Sequence, residues 1–299
     1  MTAHPRPRKT LGNTATLSGE GLFTGQPCTI AFHPSEEGLR FVRGDIAAPV
    51  PVHYLALDPS PVHPAFSRFR GRSTNLARNH GMVATVEHVL SALMGLGITD
   101  CRIELDAPEA PILDGSAKPF VEALDAAGLA DLPGTIDPLT LEQPVEVKAP
   151  SGPARITAEP RSEPGWSVTY ELDYGQGAHL EPQTISWDGS ADDYRKRIAP
   201  ARTFSMDYEA KSLQSAGLFK DRTPADMLVI AKEGPIDNAY RLDNESAAHK
   251  LLDAIGDLTL AGGPIQANIT CHRSGHDLNQ RMAQMFTRRF PTFVSPAKA

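Results

Sequence analysis

The chain is poor in cysteine, in aromatic residues and in long apolar runs. Its three cysteines, Cys28, Cys101 and Cys271, are odd in number and far apart. That excludes a disulfide framework and a Cys-x-x-Cys metal knuckle. No stretch approaches the roughly 18–20 apolar residues that a membrane-crossing helix needs. The N-terminal MTAHPRPRKTLGNTATL is basic but lacks the apolar run of a secretory signal. Positive charge is not in excess either. With 29 Lys and Arg against 36 Asp and Glu, the net charge is −7, which argues against non-specific binding to nucleic acid or to an anionic membrane surface. There is no Gly-x-Ser-x-Gly elbow and no Gly-x-x-x-x-Gly-Lys-Ser/Thr phosphate loop. A soluble, cytoplasmic protein is the expectation. What is present is length and apolar content: 299 residues, 40% of them hydrophobic, supply a sizeable core for about two domains.

The hydrophobic period changes along the chain. TLSGEGLFTG, PCTIAFHP, LRFVRG and PVPVHYLAL predict short strands, with a glycine-rich turn at Gly19–Gly25. Residues 85–94 have helical spacing and stop at Gly95 and Gly97, 101–106 alternate as a strand, and a helix over 117–127 has Ser116 as its expected N-cap. DLPGTIDP, residues 131–138, reads as a linker because Pro133, Gly134 and Pro138 punctuate it. VEVKAP, ARITAEP, WSVTYELDY and QTISW then predict strands, followed by helices near 192–198, 245–260 and 278–288 and a strand over 265–271. The order of the first half thus returns in the second. The expected fold class is α+β: two similar domains, 1–134 and 135–299, each a sheet layered against helices and packed face to face around a cleft. Residues 291–299 are expected to be a disordered tail.

His249, Asp253 and Asp257 lie at i, i+4 and i+8 of a predicted helix and fall near one stripe bordered by Leu251, Leu252, Ile255 and Leu258. A histidine and a carboxylate four apart can share one metal ion, although an ordinary helix ion pair has the same spacing. Glu87-His88 on the first helix adds a second imidazole. His88, His249 and Asp253 would form the three-ligand set of a catalytic zinc site, with Glu87 beside it as general base. On spacing alone, Glu87-His88 fits an exposed polar pair equally well. Two histidines and a carboxylate also suit Fe²⁺ or Co²⁺. Gly275-His276 stands at a predicted loop-to-helix junction, where His276 could protonate a leaving amine with Asp257 orienting its ring. The remaining histidines, His53 among them, are assigned to the surface.

Five segments together resemble one family: Thr85-Val86-Glu87-His88, Pro111-Ile112-Leu113-Asp114-Gly115-Ser116, Ala201-Arg202-Thr203-Phe204, His249 through Leu258, and Ser274-Gly275-His276-Asp277-Leu278-Asn279. The family is the zinc-dependent UDP-3-O-acyl-N-acetylglucosamine deacetylases of lipid A biosynthesis, and the match runs from about residue 8 to 290. The resemblance implies Zn²⁺ held by His88, His249 and Asp253, with Glu87 as general base. His276 would stabilise the oxyanion or protonate the leaving amine, paired with Asp257. Thr203 would polarise the substrate carbonyl, and Lys250 would contact the nucleotide sugar, with Phe204 in the same region. It also implies an acyl-chain passage built from an insert within 205–240. The chain departs from the family pattern at Phe23, where a histidine is usual, at Ala248, at Asp173-Tyr174-Gly175-Gln176 and at 219–224. The alternative readings are an amidase of this family acting on another N-acetylated sugar, and a non-catalytic paralogue that binds a nucleotide-sugar lipid.

Overall fold

The computed structural model describes residues 2–66, 72–215, 219, 223–224 and 227–289. Two five-stranded arrays share one strand order. The first runs Ala15–Glu20, Pro27–His33, Cys101–Leu105, Leu39–Arg43, Val50–Pro51. The second runs Val145–Lys148, Arg155–Pro160, Ile265–His272, Ser167–Leu172, Gln183–Trp187, with Leu139–Thr140 also beside Ile265–His272. In each array the last strand in sequence lies between the second and third, antiparallel to one and parallel to the other. The returning sequence pattern is therefore a returning topology, in an α+β architecture.

Among the described residues six α-helices accompany the sheets: α1 (Glu87–Gly95), α2 (Lys118–Ala127), α3 (Ala191–Asp193, continued by a π-helical turn Tyr194–Ile198), α4 (Asp207–Ser215), α5 (Glu245–Leu258) and α6 (His276–Arg289). The second half of the chain carries an extra layer: α4 packs on a small sheet of Phe204–Met206, Leu228–Ala231 and Gly234–Pro235. α1 and α5 pack directly on one another and are buried all round, except at Met94 and Lys250. One glycine permits this approach. A Cβ at Gly256 would stand 2.1 Å from the backbone oxygen of Glu87, inside any real contact. α5 then tightens into a 3-10 turn, Thr259–Ala261, and stops at Gly262, whose φ of 82° is a left-handed value that glycine adopts without strain.

Three local expectations change. Residues 131–138 are not a linker. Leu129–Ile136 is a strand antiparallel to Arg6–Leu11, with a register shift opposite Pro7/Arg8. Pro133 and Gly134 mark that irregularity, where a residue without a ladder partner is tolerated. Ser116 is not the cap of α2: the N-cap is Ala117, while the Ser116 hydroxyl donates to Asp114 Oδ1 (2.7 Å) and accepts from Lys118 N (3.2 Å). His53 is buried, accepting from Leu55 N (3.0 Å) through Nδ1 and packing on Gly262. The tail expected over 291–299 lies outside the described residues. None of the helices described is long and apolar enough to cross a membrane.

Candidate active site

α1 and α5 bring their polar residues to a shared seam. His88 comes from the first turn of α1, and His249 and Asp253 from successive turns of α5. All three are buried, and their ligand atoms lie within 4.8 Å of one another. His88 Nε2 is 3.7 Å and His249 Nε2 3.5 Å from Asp253 Oδ1. The His249 Nδ1–H donates to the Ala201 carbonyl (3.2 Å), which leaves the Nε2 lone pair facing the cluster. Lys250 Nζ occupies the other carboxylate oxygen, Asp253 Oδ2, at 2.9 Å. Burial pushes His88 down to about 4 and His249 to about 3, outweighing the attraction of Asp253. Asp253 is held well below the carboxylate range: burial opposes ionisation, but Lys250 and the three neighbouring histidines prevail. Two neutral imidazoles, each with Nε2 towards one ionised carboxylate in a buried seam, form a donor set that fits a divalent metal ion.

On either side stand Glu87 and His276, two buried groups whose surroundings both raise the pKa. Glu87 is buried, and burial pushes it up to about 8 against the pull of His276. Its Oε2 accepts from the Thr74 backbone N–H (3.0 Å). His276, the first residue of α6 and so at the loop-to-helix junction, donates from Nδ1 to Asp257 Oδ2 (2.8 Å). Burial alone would lower it, yet Asp257, Asp253 and Glu87 raise it to about 9. Its Nε2 faces the metal-type cluster, 4.0 Å from Asp253 Oδ2. His276 is thus charged and able to give a proton at neutral pH, while Glu87 can take one in its ionised form, which becomes the major one above about 8.

The cleft opens into a cavity of about 460 Å³, lined by Glu87, His88, Thr203, Phe204, His249, Lys250, Asp253 and His276 at the polar end. Leu213, Phe219, Met227, Val229 and Ile236, from the extra layer, line the apolar end. Thr203 is fixed by its N–H to the Gly115 carbonyl (2.7 Å). The Lys250 ammonium lies 5.7 Å from the Phe204 ring centroid. Every site residue named from the sequence except Asp257 lines this cavity, and Asp257 stands behind it against His276. Phe23 packs with Phe66 and Phe219 (ring centroids 4.9 and 5.9 Å) at the side of the cavity. Residues 220–222 of the divergent stretch lie outside the described residues.

Sequence reasoning missed several supporting groups. Glu109, almost wholly buried, accepts from Phe23 N, Thr24 N and Oγ1, and Thr85 Oγ1, which ties the glycine-rich turn to the start of α1. Thr85 itself has a φ of 56°, uncommon for a β-branched residue and costly unless its surroundings enforce it. Arg202 forms a buried pair with Glu245 (Nε–Oε1 2.8 Å) beside the Ala201 carbonyl that orients His249. Asn279 and Gln280 lie three and four residues after His276 on one helical face. That spacing was the signal for Gln280, while Asn279 also stood in one of the family-like segments.

The sequence profile of the family described as UDP-3-O-acyl N-acetylglycosamine deacetylase matches residues 8–288. The chain is 34% identical over 280 residues to the UDP-3-O-acyl-N-acetylglucosamine deacetylase of Anaeromyxobacter dehalogenans (strain 2CP-C), covering 93% of this chain and 86% of that protein. It is 32% identical over 285 residues to the protein of the same name from Citrifermentans bemidjiense, covering 94% and 89%. With that of Myxococcus xanthus the identity is 31% over 283 residues, covering 93% and 85%.

Proposed function

Because the chain belongs to the UDP-3-O-acyl N-acetylglycosamine deacetylase family, we propose that it hydrolyses the acetamide of a UDP-3-O-acyl-N-acetylglucosamine in lipid A biosynthesis, releasing acetate. The observation that carries this reading is the buried His88–His249–Asp253 cluster, flanked by Glu87 and His276 and continuous with an apolar cavity. His88, His249 and Asp253 would hold Zn²⁺, whose Lewis acidity polarises a carbonyl and acidifies water at neutral pH. Glu87 removes the proton from the attacking water as it adds to the acetamide carbonyl. The Thr203 hydroxyl donates to the oxygen that gains negative charge. His276, charged and held by Asp257, gives its Nε2 proton to the departing 2-amine as the C–N bond breaks. Lys250 and Phe204 contact the nucleotide sugar, and the apolar end of the cavity takes the acyl chain. This reading assigns the reaction to the cytoplasm. Three buried free thiols, each pushed up to about 12 chiefly by burial, suit a reducing compartment.

The test is acetate release from this substrate by purified protein, with and without a chelator. Release should stop on chelation and return with zinc. Glu87→Gln should lower kcat by about 10²–10⁴-fold with little change in KM. Full activity of the chelated protein or of the variant would refute the assignment. The Phe23–Phe66–Phe219 cluster favours one second reading, the same hydrolysis on another N-acetylated sugar. No release from a zinc-loaded sample would select it.

A further inference from the structure

Thr74 touches both halves of the proton-transfer apparatus, and nothing in the reaction described above uses it. It is fully buried, in an extended segment before Leu76–Arg78, far in sequence from α5 and α6. Three of its polar atoms are committed. Its N–H donates to Glu87 Oε2 (3.0 Å), and its carbonyl accepts from Val86 N (3.1 Å), which pins the segment to the first turn of α1. Its hydroxyl donates to Asp257 Oδ1 and accepts from Gln280 Nε2 (2.8 Å).

The direction of this chain is fixed by chemistry. The Gln280 amide nitrogen can only donate, so the Thr74 hydroxyl spends its single hydrogen on Asp257. Asp257 then accepts on both oxygens: from Thr74 on Oδ1, and from His276 Nδ1 and Asn279 Nδ2 (2.8 Å each) on Oδ2. With its acceptor positions facing donors only, the carboxylate has one orientation, and the His276 ring has one orientation with it. Without the hydroxyl, Asp257 Oδ1 loses the donor that faces it across the seam from the α1 side. The carboxylate can then turn towards Asn279 and carry the imidazole with it.

We propose that Thr74 is a positioning residue for proton transfer, fixing Glu87 through its backbone N–H and the Asp257–His276 pair through its hydroxyl. The proposal rests on the deacetylase reading for its kinetic expression, but its structural part has its own readout. Among the described residues no hydrogen bond of Thr74 goes to His88, His249 or Asp253, so its loss should leave the metal-type cluster whole.

Three proteins decide it: wild type, the near-isosteric Thr74→Val and the hydroxyl-retaining Thr74→Ser. Each is assayed for acetate release and zinc content, and by NMR of ¹⁵N-histidine-labelled protein for the His276 ring resonances. Thr74→Val should lower kcat about 10–100-fold, the usual cost of removing an outer hydrogen-bond partner in such sites, with KM and zinc content unchanged and the Nδ1–H resonance displaced. Thr74→Ser should recover kcat to within a few-fold and return the resonance to its wild-type position. A Thr74→Val protein with undiminished kcat would overturn the proposal, as would a loss confined to KM or accompanied by loss of zinc. If the wild type itself released no acetate, the reading on this substrate would fail. The ring resonance would then decide alone, and an unmoved signal in Thr74→Val would overturn the positioning role.

Discussion

Gly256→Ala tests how closely the two halves must approach to build the cluster. The added Cβ would sit 2.1 Å from the Glu87 carbonyl oxygen and 2.9 Å from its carbon, whereas real contacts rarely fall below 3.0 Å. The obstacle is backbone, so no side chain can swing aside, and α1 and α5 must part by about 1 Å along the whole seam. Overpacking of this kind costs about 1–3 kcal/mol, with this site at the upper end because two buried helices move together. Alanine returns about 1 kcal/mol through its better helix propensity. The net loss is about 2 kcal/mol, readable as a fall of several degrees in Tm and a lower urea midpoint at unchanged m-value. Function should suffer more than stability. His88 rides on α1, and His249 and Asp253 on α5, so a 1 Å separation stretches the ligand set itself. Misplacement of that size costs on the order of 10²-fold in rate, and zinc affinity should fall with it. A variant with wild-type Tm, zinc content and kcat would refute the claim that this approach sets the site.

Two further predictions concern groups away from the cluster. Asp100 is buried and accepts from Arg8 Nη2 (2.6 Å), Gly38 N (2.8 Å) and Thr99 Oγ1 (2.7 Å). Burial opposes its ionisation, yet these donors hold its pKa below the ordinary value. Its contribution is therefore complete above the unfolded-state Asp range and is lost as pH falls through the folded-state pKa. Asp100→Asn should cost about 1–3 kcal/mol at neutral pH and flatten the acid limb of the stability–pH curve, while an unchanged limb would contradict the assignment. Arg202→Met leaves Glu245 buried without its cation and should cost about 3–5 kcal/mol in urea unfolding. The double variant Arg202→Met/Glu245→Leu should be less destabilised than Arg202→Met alone, and equal losses would show that the unpaired charge is not the cause.

Most of the cluster residues were legible because they recur at helical spacing beside apolar positions. His249, Asp253 and Asp257 share a face once their segment is helical, and Glu87-His88 fell within the helix predicted over 85–94. The repeated order of strands and helices was likewise written in the hydrophobic period, since a sheet and a helix bury their apolar residues at different intervals. The Pro133–Gly134 punctuation misled because those residues break a ladder locally in a bulge as readily as they break a chain into domains. Spacing also left open whether Glu87-His88 and His249-x-x-x-Asp253 were exposed ion pairs. Only the packing of α1 on α5, made possible by Gly256, put them in a dry seam where burial neutralises both imidazoles and raises Glu87. Thr74, Glu109 and the pairing of Arg202 with Glu245 had no sequence signal. A hydrogen bond between residues 183 positions apart, such as Thr74 to Asp257, has no period. The sequence determined which side chains could do chemistry. The tertiary structure decided which of them meet, and in which charge state, because desolvation and long-range contacts exist only once the chain has closed on itself.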